Sequence, residues 1–269
     1  MEDSNLVDIV KGIFSFPDYN DPDFQYQAYK KRELYTNKIP EKNQLVSYED
    51  KRNYREKICG AEKFQLYTHQ ALISNFFNPD TPYNGLLLFH GVGTGKTCSA
   101  SAIAEKHDIL FASYKKIYII VSGPLIREQW KNEIIEKCAV DKYLKDYNQS
   151  IGYFDPAERQ KALKQAKQQF NQHIKVLSYR SLQKKTLGQK IIKKETVDGK
   201  VKKKYMTDIS GELERELAAD NIDTADTLVI FDEAHNLTGN EYYDAAYKLK
   251  ENSPHMKILL LSGTPMKNV

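Results

Sequence analysis

The chain has 269 residues, enough for one large α/β domain or a domain with a lesser appendage, and its 41% hydrophobic and 28% charged content is that of an ordinary globular protein. Forty basic against 36 acidic residues leave a formal charge of +4, which permits a polyanionic partner without demanding one. Three distant cysteines (Cys59, Cys98, Cys138) without a C-x-x-C pair, and six scattered histidines, argue against a disulfide framework or a zinc site and for a reducing compartment.

The first residues, "MEDSNLVDIVKG", are polar and acidic, unlike a basic leader ahead of an apolar stretch. The longest apolar runs are a strand's length, far short of the roughly 20 residues a membrane-spanning helix needs. The expectation is a soluble, intracellular protein with no membrane segment. Residues 1–60 are tyrosine-rich and broken by Pro17, Pro22 and Pro40, and read as an extended or partly helical arm packed on a main body, residues 61–269. "FQLYTHQALISNFF" spaces Leu66, Gln70, Ile73 and Phe77 as a helix that "NPDTPYNG" ends. Five apolar runs follow, at 85–89, 116–121, 174–179, 226–231 and 256–261, with helical stretches at 96–107, 124–138, 156–170, 211–219 and 240–250. Continuous apolar strands alternating with helices predict a doubly wound α/β domain whose mainly parallel sheet is covered on both faces. One segment breaks the rhythm. Residues 184–206 carry Asp198-Gly199 between two lysine-rich arms, the signature of a basic β-hairpin with a tight turn.

Two stretches carry chemistry. In "LLLFHGVGTGKTCSA", Leu86 to Ala100, a buried strand runs into a glycine-rich loop and then a helix of small residues. Gly91, Val92, Gly93, Thr94 and Gly95 supply backbone N–H groups that can converge on phosphate oxygens, helped by the positive end of the helix. Lys96 can reach the outer phosphates and Thr97 can hold Mg²⁺. His90 stands where the full phosphate-loop pattern has glycine, at the strand end before the loop curls. In "LVIFDEAHN", Leu228 to Asn236, a second strand ends in adjacent acids. Asp232 is placed to hold the same Mg²⁺, and Glu233 to deprotonate an attacking water. Taken singly, the loop could be a glycine-rich turn with an exposed lysine, and the acids a helix cap. Their order and spacing favour one nucleotide site.

"GVGTGKT", "DEAH" and "LSGTP" (Leu261–Pro265), in that order, resemble motifs I, II and III of superfamily 2 helicases and translocases. "YTHQ" resembles the glutamine motif, "IIVSGPLIREQW" motif Ia with the tryptophan seen in Swi2/Snf2-like members, and "VLSYRSL" the motif Ib region. "NPDTPYNGLLLFHGVGTGKT" is most similar to the large DNA virus branch, which includes the poxvirus nucleoside triphosphatase I and early transcription factor small subunit.

The resemblance implies a RecA-like domain binding ATP with Mg²⁺. It implies that Gln70 reads the adenine, that His235 passes the state of the γ-phosphate to Ser262 and Thr264, and that Ser122, Gly123, Ser178 and Arg180 contact a nucleic-acid backbone. Lys193, Lys194, Lys200, Lys202, Lys203 and Lys204 of the hairpin could extend that path, or form a solvated loop. The implied partners are nucleic acid, with DNA ahead of RNA, a second RecA-like domain that supplies an arginine, and RNA polymerase or other transcription proteins. A viral protein of this kind would work in the host cytoplasm or the virion. Without that arginine, worth about 10³-fold or more, the chain is expected to be weak or inactive alone. Its stop at Val269, just past motif III, reads as the end of an N-terminal piece. The other reading of function is a viral transcription-factor subunit switched by ATP that binds DNA without unwinding it.

Overall fold

The computed structural model describes residues 16–38, 47–59, 66–91, 93–105, 113–144, 156–187, 190–197, 200–207, 226–238 and 241–264. Five strands form one sheet: β1 (Gly85–Phe89), β2 (Lys116–Val121), β3 (Ile174–Ser178), β6 (Thr227–Asp232) and β7 (Lys257–Ser262), in the order β1-β7-β6-β2-β3, every pair parallel. The apolar runs form these strands within a residue of their expected bounds. The third run stops at Ser178 because Tyr179 already opens a helix.

Alternate residues of each central strand feed different cores. Ile117, Ile119 and Val121 of β2, with Leu228 and Ile230 of β6, face α5 (Lys96–Ala104), α6 (Pro124–Glu133), α7 (Val140–Tyr143) and α8 (Pro156–His173). Tyr118, Ile120, Val229 and Phe231 face α9 (Tyr179–Leu187) and α10 (Glu241–Asn252). The sheet is therefore doubly wound, and each fully buried isoleucine or phenylalanine contributes roughly 1.5–3 kcal/mol. This is the mainly parallel α/β architecture of a RecA-like domain.

Ahead of the sheet lie α1 (Phe24–Lys30), α2 (Arg32–Tyr35), α3 (Tyr48–Cys59) and α4 (Thr68–Phe76). The first two dock by aromatic edges, Phe24 against Phe76 and Tyr83, and by Asn75 Nδ2 donating to the Glu33 carbonyl at 2.6 Å. Tyr83 also donates its hydroxyl to the Pro17 carbonyl at 3.0 Å.

Two expectations need amendment. The basic hairpin exists as a separate antiparallel pair, β4 (Lys190–Val197) and β5 (Lys200–Thr207), but residues 184–187 belong to α9. Lys184 and Lys185 are helix-compatible, and Leu182 and Thr186 are buried on that helix, so the lysine-rich composition alone misplaced the boundary. The helix expected at 211–219 and the hairpin turn Asp198-Gly199 lie outside the described residues. The larger correction concerns the cysteines. Cys98 on α5 and Cys138 form a disulfide across 40 residues, with their Cα atoms 5.0 Å apart. Cys138 ends a π-helical turn, Ile134–Cys138, that continues α6 and packs Ile134 and Ile135 into the core. Pairing here is set by helix–helix packing, which cysteine spacing does not encode.

Among the described residues no helix is long and apolar enough to cross a membrane.

Candidate nucleotide site at the carboxyl ends of β1, β6 and β7

The sheet order puts the glycine-rich loop, the acidic pair and the third motif side by side. Phe89 of β1 lies opposite Ser262 of β7, and Asp232 of β6 opposite Leu261, so all three segments leave the sheet at one edge. Ligands of open α/β sheets bind there, beyond the strands' carboxyl ends. His90 continues the ladder by donating its N–H to the Ser262 carbonyl at 3.1 Å. Its residence at the strand end explains how a side chain is accommodated where the pattern has glycine.

The loop curls through Thr94, whose hydroxyl donates to the Gly91 carbonyl at 2.8 Å. Gly95 caps α5 with φ +77°, a backbone angle that favours glycine, and a Cβ there would stand 2.9 Å from Gln70 Nε2 and push that amide aside. Residues Ser99 to Ala104 of α5 are all buried and, Ile103 apart, small, which lets this helix lie close against the sheet and aim its first turn at the site. Val92 lies outside the described residues.

The expected chemical groups meet. Lys96 Nζ donates to Glu233 Oε1 at 3.0 Å, although 137 residues separate them. His235 Nδ1 lies 3.4 Å from Glu233 Oε2 and 3.2 Å from Ser262 Oγ, and the Thr264 N–H donates to that same hydroxyl at 3.2 Å. A contiguous path thus runs from Lys96 through Glu233, His235 and Ser262 to Thr264. Gly263 closes it: a Cβ there would stand 3.4 Å from Lys96 Nζ. Pro265 lies outside the described residues.

Glu233 is the one non-glycine residue with positive φ among the described residues, at φ 51°, ψ 58°. The left-handed conformation costs a side-chain-bearing residue roughly 1–2 kcal/mol, and persists where neighbours over-determine it. Here Tyr179 donates its buried hydroxyl to the Asp232 carbonyl at 2.8 Å and approaches the Glu233 carbonyl at 3.5 Å. Asn236 donates to the Glu233 carbonyl from its backbone and its side chain, both at 2.9 Å. Burial, and the nearby charges of Asp232 and Glu233, push the Tyr179 phenol far above its ordinary range, so it stays a donor.

Asp232 is held differently. Its Oδ2 accepts a hydrogen bond from Trp130 Nε1 at 2.8 Å. Burial is the main influence on this carboxyl and pushes its pKa up. The Trp130 N–H and Lys96 pull it down, and the Glu233 charge pushes it up. Burial, then His69 and Lys96, push the His90 imidazole down, toward the neutral form.

Gln70 is 1% exposed. Its Oε1 accepts the Tyr67 N–H at 3.0 Å and its Nε2 donates to the Gly95 carbonyl at 3.3 Å, so in this structure it braces the loop. Beside it, exposed Tyr67 stacks on His69, and His69 meets His90 edge-on.

The residues matched to a nucleic-acid role leave the sheet at this same carboxyl edge, from β2 and β3, which follow β6 in the strand order. Val121 and Ser178 are register partners, so Ser122 and Gly123, after β2, neighbour Ser178 and Arg180, at the end of β3. Ser122 and Arg180 are exposed, whereas the Ser178 hydroxyl accepts the Ser181 N–H at 3.1 Å within the first turn of α9. Lys202 and Lys203 sit on β5, opposite Glu195 and Lys194.

The donor set suits a nucleotide and its magnesium ion. The Thr97 hydroxyl and the Asp232 carboxylate are hard oxygen donors, and Mg²⁺ of this kind takes one or two protein oxygens plus substrate phosphates. Among the described residues no cluster of three or more His, Cys, Asp or Glu forms a metal cage of its own. Trp130, Tyr179 and Asn236 had no assigned role from sequence. The tryptophan alone carries a sequence signal, as the last residue of the stretch that resembles motif Ia.

A phosphate loop, a strand-terminal Asp-Glu pair and a third motif reaching back to the lysine, on a doubly wound parallel sheet, define the N-terminal RecA-like domain of a superfamily 2 helicase. The chain belongs to the family described as "Type III restriction enzyme, res subunit", which matches residues 48–267. It is 42% identical over 257 residues to a protein named as an ATP-dependent RNA helicase in Acanthamoeba polyphaga mimivirus, a match covering 95% of this chain and 22% of that protein. A second mimivirus protein so named is 27% identical over 256 residues, covering 94% of this chain and 37% of its own length. An early transcription factor large subunit homolog of African swine fever virus is 42% identical over 53 residues, 20% of this chain and 5% of that one. The chain therefore spans between a fifth and two fifths of the length of these two mimivirus proteins.

Proposed function

We propose that the chain is the ATP-binding domain of a nucleic-acid-dependent ATPase which, as a whole protein, hydrolyses ATP with Mg²⁺ to move along DNA or RNA during viral transcription. The observation that carries this is the convergence of Lys96, Glu233, His235 and Ser262 in one bonded path beside Asp232. In this reading the loop N–H groups of Gly91 to Gly95 receive the phosphates, and Lys96 leaves Glu233 for the outer phosphate oxygens. The freed Glu233 carboxylate orients a water and takes its proton. Thr97 and Asp232 would hold Mg²⁺, which supplies charge neutralisation on the phosphate oxygens.

His235 and the Ser262 hydroxyl then carry the rearrangement of Glu233 to Thr264. Gln70 ties recognition of adenine to the loop through Gly95. Ser122, Gly123 and Arg180 are the contacts offered to a nucleic-acid backbone, with the hairpin lysines as an electrostatic extension; Ser178 contributes its backbone, its hydroxyl being engaged in the turn. The partners are nucleic acid, a second RecA-like domain and proteins of the transcription apparatus.

The test is steady-state ATP turnover by the protein joined to its second domain, with and without DNA or RNA. Stimulation by either that is lost in Glu233→Gln, with ATP binding kept, supports the reading. Turnover in Glu233→Gln equal to the parent's excludes Glu233 as the base. The similarity to the African swine fever virus transcription factor homolog favours a second reading, an ATP-switched subunit that binds DNA without unwinding. ATP-dependent promoter binding without strand separation would select it.

A further inference from the structure

Trp130 is the chain's single tryptophan, 4% exposed, and lies two turns into α6. Its ring packs in the core beside the sheet, so the side chain is locked by its surroundings rather than by the site. From there it reaches across 102 residues of sequence to donate to Asp232 Oδ2 at 2.8 Å. An indole N–H only donates, so it makes one directed bond to an acceptor. It is also neutral. A lysine or arginine in its place would compensate the carboxylate's charge and compete with a cation for it; an indole holds the oxygen and leaves the charge in place.

Partners of this kind, fixed behind a ligating side chain, set both its orientation and its affinity for metal. We propose that Trp130 is a positioning residue that fixes the orientation in which the Asp232 carboxylate meets a nucleotide-bound divalent cation. The inference rests on the reading of Asp232 as the metal-holding acid.

The experiment uses the full chain and two probes. With ¹⁵N-tryptophan the protein gives one indole N–H cross-peak, and Asp232→Asn should shift its proton and speed its exchange with water. Mn²⁺ binding to the ADP complex, followed by electron paramagnetic resonance, should weaken about 10-fold or more in Trp130→Phe. Affinity for metal-free ADP should stay within about twofold of the parent's, because Trp130 acts on Asp232 and not on the phosphate loop. Benzothienylalanine at position 130 replaces the N–H by sulfur at nearly equal volume. It should match Trp130→Phe, which separates the lost donor from lost packing. An indole peak unmoved by Asp232→Asn, or parental Mn²⁺ affinity in both position-130 variants, overturns the inference and leaves Asp232 as the metal-holding acid. Parental Mn²⁺ affinity in Asp232→Asn overturns that assignment, and the inference with it.

Discussion

Breaking the bond between Cys98 and Cys138 should destabilise the domain through the unfolded state. The bond joins the third residue of α5 to the end of the π turn after α6, closing a 40-residue loop. For a loop of that length the chain-entropy model gives about 4 kcal/mol of stabilisation through the unfolded state. At roughly 2–4 °C per kcal/mol for a chain of this size, reduction or Cys98→Ser should lower the melting temperature by about 8–16 °C. Scanning calorimetry of protein purified without reductant, run with and without dithiothreitol, reads the difference. A thiol titration of the unfolded, unreduced chain should count one thiol, three cysteines less the two that are paired. Three titratable thiols, or a melting temperature indifferent to reductant, would refute the reasoning.

Tyr179→Phe should cost about 1–2 kcal/mol of stability, one buried hydrogen bond with the Asp232 carbonyl left short of a donor. ATP turnover should fall more than nucleotide affinity, because the Glu233 backbone loses a holder; equal losses would assign Tyr179 to packing alone. A second test lies away from the site. Glu105, with a side chain 4% exposed, accepts from Lys142 and Tyr143 and lies beside His173. Burial, the largest influence, pushes its carboxyl up, but His173, Lys142 and Tyr143 outweigh it and hold it below the ordinary glutamate range. Its folded pKa is thus lower than its unfolded one, so its contribution is complete above the unfolded value and is lost as pH falls through the folded one. Glu105→Gln should cost about 3 kcal/mol at pH 7 in urea melts, and the gap from the parent should close in acid; a gap independent of pH would contradict the assignment.

The parts of this domain legible in the sequence are those written locally. Strands such as "KIYIIV" are apolar on consecutive residues because both faces of the sheet are covered, and a run of that kind declares itself. The loop from Gly91 to Thr97 and the pair Asp232-Glu233 are equally local, since each needs fixed residue types at fixed spacing beside a strand end. What stayed hidden depends on which elements become neighbours. Nothing near Cys98 announces Cys138, and nothing near Asp232 announces the indole of Trp130. Tyr179 looks like the end of a strand until its helix turns the hydroxyl onto the Asp232 carbonyl. Gln70 shows the same limit from the other side. Its position was readable, but its burial beneath Gly95, with both ends of the amide engaged, follows from the docking of α4 on the loop.

The account depends most on Lys96, Asp232 and Glu233 serving one nucleotide, and isothermal calorimetry of ATP binding with and without Mg²⁺ tests that directly. It predicts Mg²⁺-dependent binding heat in the parent protein and an affinity about 10- to 100-fold weaker in Lys96→Ala, the loss of one charge-assisted contact of roughly 1.5–3 kcal/mol. Absence of binding heat in the folded parent, or equal affinity in Lys96→Ala, would contradict it.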